Sequence, residues 1–295
     1  MKNIRDYGAI LLAAVLWGCA ALTVNLLGDV GASNQEILFV RALTSSSVMA
    51  IWIALTDKKL FRVRLRDLPI FFGQGVLGYA LTNLTYFSCI RSCSMGTAAA
   101  LMYLAPAVVA VLSVPVFKEK LTLPKAVSAS LVLVGAACTA GVFHGGTDYP
   151  VSGLLTGVAC GFVYGLYSMF GRVSVRRYHV LTANFYAFGM AAIFVFPMLP
   201  FEQAVQHAAD PKMLGAMVLA ALMCCTAPYL LYTMALRNVS ASAATVVSSL
   251  EPAVAALLGW AVYNESLGAD KIIGIGLIIL AVAVSTIPPK EKKTA

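Results

Sequence analysis

The stretch Leu250-Glu251-Pro252-Ala253-Val254 places a carboxylate and a helix-breaking proline near the middle of an apolar segment that runs from Ser240 to Val262. That segment is long enough to span a bilayer as a helix. A carboxylic acid at such depth costs a few kcal/mol, so an intramembrane Glu is a candidate functional residue. The same proline setting occurs earlier as Leu104-Ala105-Pro106-Ala107-Val108, and the two prolines are 146 positions apart. We therefore expect two related halves.

The composition is that of an integral membrane protein. Hydrophobic residues make up 60% of the chain and charged residues 12%, and the mean hydropathy is +0.85. Soluble domains carry about 25% charged residues. The 295 residues allow about ten transmembrane helices with short loops and no soluble catalytic domain. The formal charge of +8 does not indicate nucleic-acid binding, because no basic face or recognition motif accompanies it.

The cysteines and the first apolar run suggest no cofactor, metal or cleaved leader. Nearly all of the seven cysteines fall inside apolar runs without zinc-ligand spacing, so we interpret them as small buried hydrophobic residues. The run Gly8 to Leu27 follows a basic flank, but no small-residue cleavage site follows it. We therefore expect an uncleaved first helix.

Ten apolar stretches are predicted to be transmembrane helices, which gives an all-α fold. The first five are Gly8 to Leu27, Asn34 to Leu55, Leu68 to Ile90, Met95 to Phe117 and Leu123 to Phe143. The second five are Ser152 to Gly171, Val180 to Pro200, Met213 to Leu236, Ser240 to Val262 and Ala269 to Ile287. The loops between them are short.

Basic residues predict the orientation. If the N-terminus is cytoplasmic, all but four of the 21 Lys and Arg residues lie on the cytoplasmic side. The exceptions are Arg91, Lys212 and Lys271 on the other side and Arg41 within a span. We therefore expect a multi-pass protein of the cytoplasmic (inner) membrane with both termini in the cytoplasm.

The repeat extends beyond the proline sites. At an offset of 146, Tyr86 matches Tyr232, and Glu119 matches Glu265. Further matches at this offset are Arg91 with Arg237, Ser94 with Ser240 and Leu121 with Leu267. Nearer the start of each half the offset is 147, where Trp17-Gly18 matches Tyr164-Gly165. We predict repeat 1 at 1–147 and repeat 2 at 148–295. Since five spans per half is an odd number, the repeats must insert with opposite orientation, and inverted repeats of this kind are typical of transporters.

This pattern resembles the drug/metabolite transporter superfamily, specifically its EamA-like ten-helix branch. The resemblance rests on Trp17-Gly18, Arg41, the helices of Pro106 and Pro252, the Glu-Lys-Leu or Glu-Ser-Leu ends of those helices, and the glycine-containing helix that closes each half. It covers essentially the whole chain. It implies ten helices around a central cavity, with the fifth and tenth peripheral, and transport of small metabolites, often outward.

Glu251 is the strongest candidate for a functional residue. Its counterpart in the first half is Ala105, so the fold accepts an alanine at the equivalent position. An acid in only one half favours a cation-binding or protonatable site over an architectural role, although a structural carboxylate remains an alternative. The nearby Pro252, like Pro106, predicts a kink that is either a hinge beside the cavity or simple packing.

Arg41 is a candidate partner for Glu251. With a rise of about 1.5 Å per residue, Arg41 lies roughly 10 Å below the outer surface, and Glu251 lies about 14 Å below it. We hypothesise an Arg41 to Glu251 pair that a substrate or proton can disrupt. The alternative is that Arg41 extends alone toward the outer surface.

Polar and aromatic residues within the spans are candidates for the lining of the cavity: Trp17, Asn25, Tyr79, Asn83, Tyr86, Tyr103, Tyr164, Tyr167, Asn184, Tyr229 and Tyr232. Aromatic faces stack on planar solutes or hold ammonium groups. Tyr and Trp also populate membrane interfaces for reasons unrelated to substrate. Glu119 and Glu265 stand at helix ends, where we expect a structural role: each caps the next helix or pairs with Lys118 or Lys271.

The predicted function is secondary transport, as an exporter, of a small metabolite such as an amino acid or related amine by alternating access. A membrane-embedded enzyme is the main alternative, but His144, His179 and His207 are expected in separate loops and form no catalytic or metal set. A lipid scramblase or sensor is a further alternative. The expected partners are a small-molecule substrate, the bilayer and protons as a candidate coupling ion, with no nucleic acid; the chain acts as a monomer or homodimer.

Overall fold

The computed structural model describes residues 2–93, 95–140, 149–263 and 268–285. Within these ranges the regular structure is entirely helical, which confirms the all-α prediction. The α-helices of the first part are α1 Lys2–Gly18, α2 Ala20–Asp29, α3 Asn34–Thr56, α4 Leu68–Phe72, α5 Leu81–Ser92, α6 Met95–Met102, α7 Ala105–Phe117 and α8 Leu123–Thr139. Those of the second part are α9 Val151–Arg177, α10 Val180–Val195, α11 Phe201–Ala209, α12 Pro211–Ala221, α13 Ala227–Ala235, α14 Ala241–Ser248, α15 Glu251–Tyr263 and α16 Ala269–Ser285. Short 3₁₀ segments cover Lys58–Phe61, Leu65–Asp67 and Phe196–Met198.

Six helical runs among the described residues are long and apolar enough to cross a membrane. They are Asn34–Thr56, Thr97–Phe117, Val151–Arg177, Val180–Met198, Pro211–Ala235 and Ala241–Val262, with Leu123–Thr139 as a shorter apolar helix. Many large apolar side chains, such as those of Leu55, Leu155 and Ile193, are exposed on the surface of the molecule. Helices that are apolar on all sides are typical of a membrane protein. The count of ten spans stays a prediction.

The predicted ranges coincide with helices, but some boundaries differ. α1 begins at Lys2 instead of Gly8, and the first predicted span is divided at Cys19. α9 continues to Arg177, well beyond the predicted end at Gly171. Polar helix ends that project from a membrane keep helical hydrogen bonding, so hydropathy alone places such ends too early.

Both proline sites interrupt their helices. α6 gives way to α7 just before Pro106, and α14 gives way to α15 just before Pro252. At the first site the Leu104 N–H donates to the Leu101 carbonyl, three residues back, at 3.1 Å. The missing proline donor and the clash of its ring with the preceding turn account for both interruptions.

Two π-helical segments lie inside the third and eighth predicted spans, at Gly73–Ala80 and Leu222–Thr226. In the first segment, glycine permits very close packing: a Cβ on Gly75 would lie 1.8 Å from the Ala187 carbonyl oxygen, and one on Gly78 would lie 2.5 Å from the Tyr167 Cα. The backbones therefore touch here because no side chain separates them. π-Helical segments are frequently found at functional sites.

One end of the molecule is held together by polar contacts between distant segments. Asn238 Nδ2 donates to Asp6 Oδ2 at 3.0 Å, and Arg177 Nη1 donates to Asp67 Oδ1 at 2.6 Å. We call this end the basic end, because it also carries Arg62, Arg64, Arg66, Arg172, Arg176 and Arg237. Arg62, Arg64, Arg66 and Arg177 line one recess there, and Arg172 and Arg176 both lie over the Phe117 ring.

Glu119 also lies at the basic end, but its partners differ from the prediction. Its carboxylate is paired with Lys125 at 2.7 Å and with Arg172, instead of with Lys118 or Lys271. Arg172 comes from α9, in the second half of the chain, and only tertiary packing brings it to Glu119. The matching residue Glu265 lies outside the described residues.

His207 was expected in a solvated loop, and that expectation was wrong. It lies on α11, and its Nδ1 is 2.9 Å from Glu36 Oε1 at the start of α3. Gln203, one turn earlier, donates to the Gly31 carbonyl at 2.6 Å. His179 caps the start of α10, and His144 lies outside the described residues. The connection before α12 is thus a short helix docked on the end opposite the basic end.

The largest core cluster lies where α1, α3, α9, α10 and α13 meet, and it includes Trp17, Tyr79, Phe188 and Tyr232. α8 and α16 pack closely against each other: a Cβ on Gly274 would lie 2.6 Å from the Gly135 carbonyl oxygen. The core therefore centres on the aromatic candidates of the sequence analysis.

Candidate functional site

Glu251 lies beside the break in its membrane helix, as the first residue of α15. The hydroxyl groups of Tyr103 and Tyr164 are close enough to its carboxylate to stabilise a negative charge there. Tyr86 and Tyr229 are close enough to interact with it electrostatically. The helix N-terminus favours a negative charge at this position. The residue as a whole is partly buried.

Arg41 lies on α3 and has a different partner from the one predicted. Its Nη2 donates to Thr23 Oγ1 on α2 at 3.0 Å. In the part of the chain that the structure describes, no ion pair joins Arg41 to Glu251. Similar depth in the membrane was the basis for the predicted pair, but depth does not specify which helices face each other. The direct pair is therefore absent from this structure.

An aromatic cluster lies close to both charged residues, and Tyr229 is at its centre. The Tyr229 ring centroid is 4.9 Å from those of Trp17 and Tyr167, and 5.4 Å from those of Tyr79 and Phe188. All four contacts are edge-to-face, the arrangement that aromatic quadrupoles favour. Phe188 was not among the candidates, because nothing in its sequence setting separates it from other core phenylalanines.

Tyr229 interacts electrostatically with both Glu251 and Arg41. Tyr79 interacts with Arg41, whereas Tyr103 and Tyr164 interact with Glu251. The site therefore has a carboxylate, an aromatic centre and a guanidinium group, with the centre close to both charges.

Two hydrogen-bond donors in this region are buried without an acceptor among the described residues: Trp17 Nε1 and Arg41 Nε. An unsatisfied buried donor costs about 1–3 kcal/mol. Native proteins rarely keep such groups without a reason, and a binding role is one. Both donors are thus free to bind an acceptor that the described residues do not supply.

Other candidate residues use their polar groups within the protein. Tyr232 Oη lies 2.7 Å from Ser168 Oγ, and Tyr167 Oη lies 3.1 Å from Thr233 Oγ1. Asn83 Nδ2 donates to the carbonyl of Tyr79 on its own helix, and Asn184 Nδ2 bonds similarly to Val180. These contacts favour a role in holding the helices around the cluster. Asn25 lies on α2, and its side chain is outside the described residues.

The cluster is closely packed. Trp17, Tyr79, Tyr167 and Tyr232 are each no more than 8% exposed. Two open recesses lie elsewhere: one at the basic end, and one beside α11 lined by Pro200, Phe201, Glu202, Gln203 and Gln206. Tyr229 and Tyr164, by contrast, are partly exposed.

The chemistry of these groups is that of binding. Across the described ranges, no three His, Cys, Asp or Glu side chains come together in a group that could hold a metal ion. Glu251 and the tyrosines can hold a cation, and the unpaired donors of Arg41 and Trp17 can hold an anion.

The sequence matches the model of the EamA-like transporter family twice, over residues 6–141 and 151–287. The chain belongs to the EamA-like transporter family. It is therefore a multi-pass membrane transporter and not an enzyme. The resemblance suggested by the paired proline helices is thereby confirmed.

Relatives of similar length are also transporters. The chain is 26% identical over 292 residues to the uncharacterized transporter YwfM of Bacillus subtilis, covering 97% of this chain and 95% of YwfM. It is 29% identical over 202 residues to a probable terminal-alkyne amino-acid exporter of Streptantibioticus cattleyicolor, covering 68% of this chain and 66% of the exporter. One crystal structure superposes with a TM-score of 0.77 at 20% identity, covering 95% of this chain and 96% of that one, which supports the fold alone.

Proposed function

We propose that this protein is a secondary transporter that exports a small metabolite by alternating access: an amino acid, which is a zwitterion, or a related amine. The observation that carries the proposal is the position of Tyr229 within reach of both Glu251 and Arg41. An ammonium group would bind Glu251 and the surrounding tyrosine faces. A carboxylate would bind the free donors of Arg41 and Trp17. The name of the Streptantibioticus relative, an amino-acid exporter, is consistent with this substrate class.

The proposal includes two inverted five-helix repeats, at 1–147 and 148–295, that form ten spans. The two consecutive family matches support the duplication. Equivalent glycines also make equivalent contacts. A Cβ on Gly18 would lie 3.1 Å from the Glu251 carbonyl oxygen, and one on Gly165 would lie 3.5 Å from the Ala105 carbonyl oxygen. In both cases a glycine of one half lies close to the helix break of the other half.

Alternating access requires the aromatic cluster to open. The rings around Tyr229 pack edge-to-face, so a solute that binds among them must displace some of them. Pro106 and Pro252 lie at the helix breaks next to the site, and we propose that they act as hinges. A helix without a continuous hydrogen-bond ladder bends at lower cost than an intact one.

We further propose that the basic end faces the cytoplasm, with both termini inside and the protein in the cytoplasmic membrane. The concentration of arginine at that end supports this orientation. Protons are the proposed coupling ion, with Glu251 as the group that exchanges them, and the transporter acts as a monomer or homodimer.

Flux in vesicles tests the proposal. Proteoliposomes that contain the purified protein would be loaded with an amino acid, its decarboxylated amine or its deaminated acid. Counterflow of the same solute in radiolabelled form would then be measured. We expect the zwitterion to exchange fastest, the amine to depend on Glu251 alone, and the acid to depend on Arg41 alone. Glu251→Gln and Arg41→Gln should each lower zwitterion exchange by at least about tenfold, the size of one lost charged contact.

Glu202→Gln is the matched control, since Glu202 is an exposed carboxylate on α11, outside the site. If the site variants and the control exchange every solute at the wild-type rate, Glu251 and Arg41 do not bind the substrate. If only the amine is exchanged, the substrate is a cation and the role of Arg41 in binding is excluded.

A further inference from the structure

A recess of about 830 Å³ opens at the basic end, between the segment that follows α3 and the end of α9. It is lined by Arg62, Val63, Arg64, Arg66, Asp67, Arg177 and Tyr178. It is distinct from the site at Glu251, and the transport proposal assigns it no role.

The base of the recess is fixed by one buried carboxylate. Asp67 is 5% exposed and accepts hydrogen bonds from Arg177 Nη1 and Tyr178 Oη, both at 2.6 Å. The Tyr178 hydroxyl in turn accepts the backbone N–H of Arg64 at 3.2 Å. These bonds tie the segment after α3 to the end of α9. The recess therefore has a defined shape, and the charge of Asp67 is already balanced by Arg177.

Besides Arg177, three more arginines line the recess. Arg62, Arg64 and Arg66 are exposed, and within the described residues their side chains form no hydrogen bond or ion pair. Arg62 and Arg64 have extended backbone conformations, so their side chains project to the same side, while Val63 between them packs against the core. The lining of the recess has four guanidinium groups and one carboxylate, that of Asp67, so its net charge is positive.

Apolar side chains flank this charge. Leu65, between Arg64 and Arg66, is 82% exposed, and Leu55 at the end of α3 is 81% exposed. Trp52, one turn earlier on α3, is also exposed, and tryptophan is enriched where a membrane meets water. Guanidinium groups beside exposed apolar residues match a ligand with a phosphate group and acyl chains.

We propose that this recess binds the headgroup of an anionic phospholipid from the leaflet on its side of the membrane. The fork of each guanidinium group presents paired N–H donors to phosphate oxygens. Leu55, Leu65 and Trp52 contact the glycerol and the first part of the acyl chains. The shared chemistry is a phosphate ester, and the exposed apolar residues favour a lipid over a free soluble phosphate ester.

Native mass spectrometry of the full chain tests this proposal, with titration of phosphatidylglycerol, phosphatidylcholine or glycerol 3-phosphate. We expect tight adducts with phosphatidylglycerol only. In R62Q/R64Q/R66Q its apparent affinity should fall by at least about tenfold, since each surface Arg contributes substantially to binding an anionic lipid. The control K118Q/K120Q/R237Q removes three exposed charges at the same end but outside the recess, and should bind as wild type does.

Several outcomes would overturn the proposal. An equal loss in both triple variants would mean that overall charge, and not the recess, attracts the lipid. Equal binding of phosphatidylcholine would exclude selection of an anionic headgroup. Equal binding of glycerol 3-phosphate would replace the lipid with a soluble ester. Each single variant, R62Q, R64Q and R66Q, repeats the measurement if the triple variant does not fold, and each should weaken phosphatidylglycerol binding.

Discussion

The Cys225 thiol donates to the Tyr79 hydroxyl at 3.5 Å, and the two residues are 146 positions apart. This separation equals the spacing of the proposed repeat, so under that proposal the contact joins equivalent positions of the two halves. Both residues lie in π-helical segments, Tyr79 in Gly73–Ala80 and Cys225 in Leu222–Thr226. Contact between equivalent positions is what an axis of approximate two-fold symmetry passing between them would produce.

Removal of the Tyr79 hydroxyl should have a much smaller effect than removal of its ring. Tyr79 is 3% exposed and packs edge-to-face on Tyr229 and Phe188. We expect Tyr79→Phe to lower the free energy of unfolding by about 0.5–1.5 kcal/mol. Tyr79→Ala, which leaves a cavity, should cost about 3–5 kcal/mol. Denaturant unfolding in detergent would compare the two variants, and equal losses would mean that the ring packing is not the main contribution.

The tyrosines around Glu251 should affect transport more than stability. Tyr103→Phe or Tyr164→Phe removes one of the two hydroxyl groups that stabilise the charge of the carboxylate. A hydrogen bond to a charged group contributes about 1.5–3 kcal/mol, so we expect the KM of a cationic or zwitterionic solute to rise at least severalfold. The double variant should depart from additivity, because both donors share one carboxylate.

Tyr86→Phe is the control for this series. Tyr86 interacts with Glu251 electrostatically but is not among the hydroxyl groups that stabilise its charge. Its KM should stay close to that of wild type in the same proteoliposome assay. A rise in KM for Tyr86→Phe as large as that for Tyr103→Phe would contradict a specific role of the two donors.

Gly18 should not tolerate alanine. A Cβ there would lie 2.6 Å from both Cβ and Cγ1 of Val254, close to the helix break at Glu251. We expect Gly18→Ala to lower stability by about 1–3 kcal/mol and to reduce transport by moving the start of α15. Gly215→Ala is the matched helical control, since nothing lies within 4 Å of its added Cβ. It should be neutral or stabilising by up to about 1 kcal/mol. Thermal unfolding of both variants tests the contrast.

Glu119 should make stability depend on acid pH. Burial alone would raise the pKa of this carboxyl, but hydrogen bonding and charge from Lys125 and Arg172 outweigh burial and hold the pKa below 4.5. A lowered folded-state pKa stabilises the protein above the unfolded-state value, and this contribution is lost as pH falls through the folded-state pKa. We expect Glu119→Gln to cost roughly 1–3 kcal/mol at neutral pH, below the value for a fully buried pair.

The difference in unfolding free energy between wild type and Glu119→Gln should shrink as the pH is lowered below 4.5, the ordinary value for the carboxyl. Denaturant titrations at several pH values would measure it. A difference that stays constant from neutral pH to well below 4.5 would mean that the charge of Glu119 does not stabilise the fold. Lys120→Gln, an exposed charge at the same end, should show no such dependence.

Much of the fold could be predicted because a bilayer restricts the chain so strongly. Apolar stretches of bilayer length must be helical to satisfy their backbone hydrogen bonds, so the positions of the helices could be predicted from composition. Pro106 and Pro252 mark helix breaks for the local reason that proline lacks an N–H. The π-helical segments and α11 were not predicted. The π-helical segments depend on packing against other helices, and α11 is short.

The candidate site was predictable only in part. Glu251 stood out because a carboxylate in an apolar helix is rare, and its tyrosine partners Tyr103 and Tyr164 were among the aromatic candidates. No sequence signal identified Thr23 as the partner of Arg41, or Phe188 as part of the aromatic cluster. Hydropathy gives the depth of a residue in the membrane but not the direction in which its side chain points.

The sequence by itself determined the class of protein, its duplication and family, and the asymmetric acid at Glu251, because each follows from composition or from spacing along the chain. The tertiary structure decided which side chains meet. It brought Arg172 to Glu119 across 53 positions and His207 to Glu36 across 171. It also put Tyr229 within reach of both Glu251 and Arg41. Such contacts depend on how the helices are rotated and packed, and packing between distant segments leaves no periodic signal in the sequence.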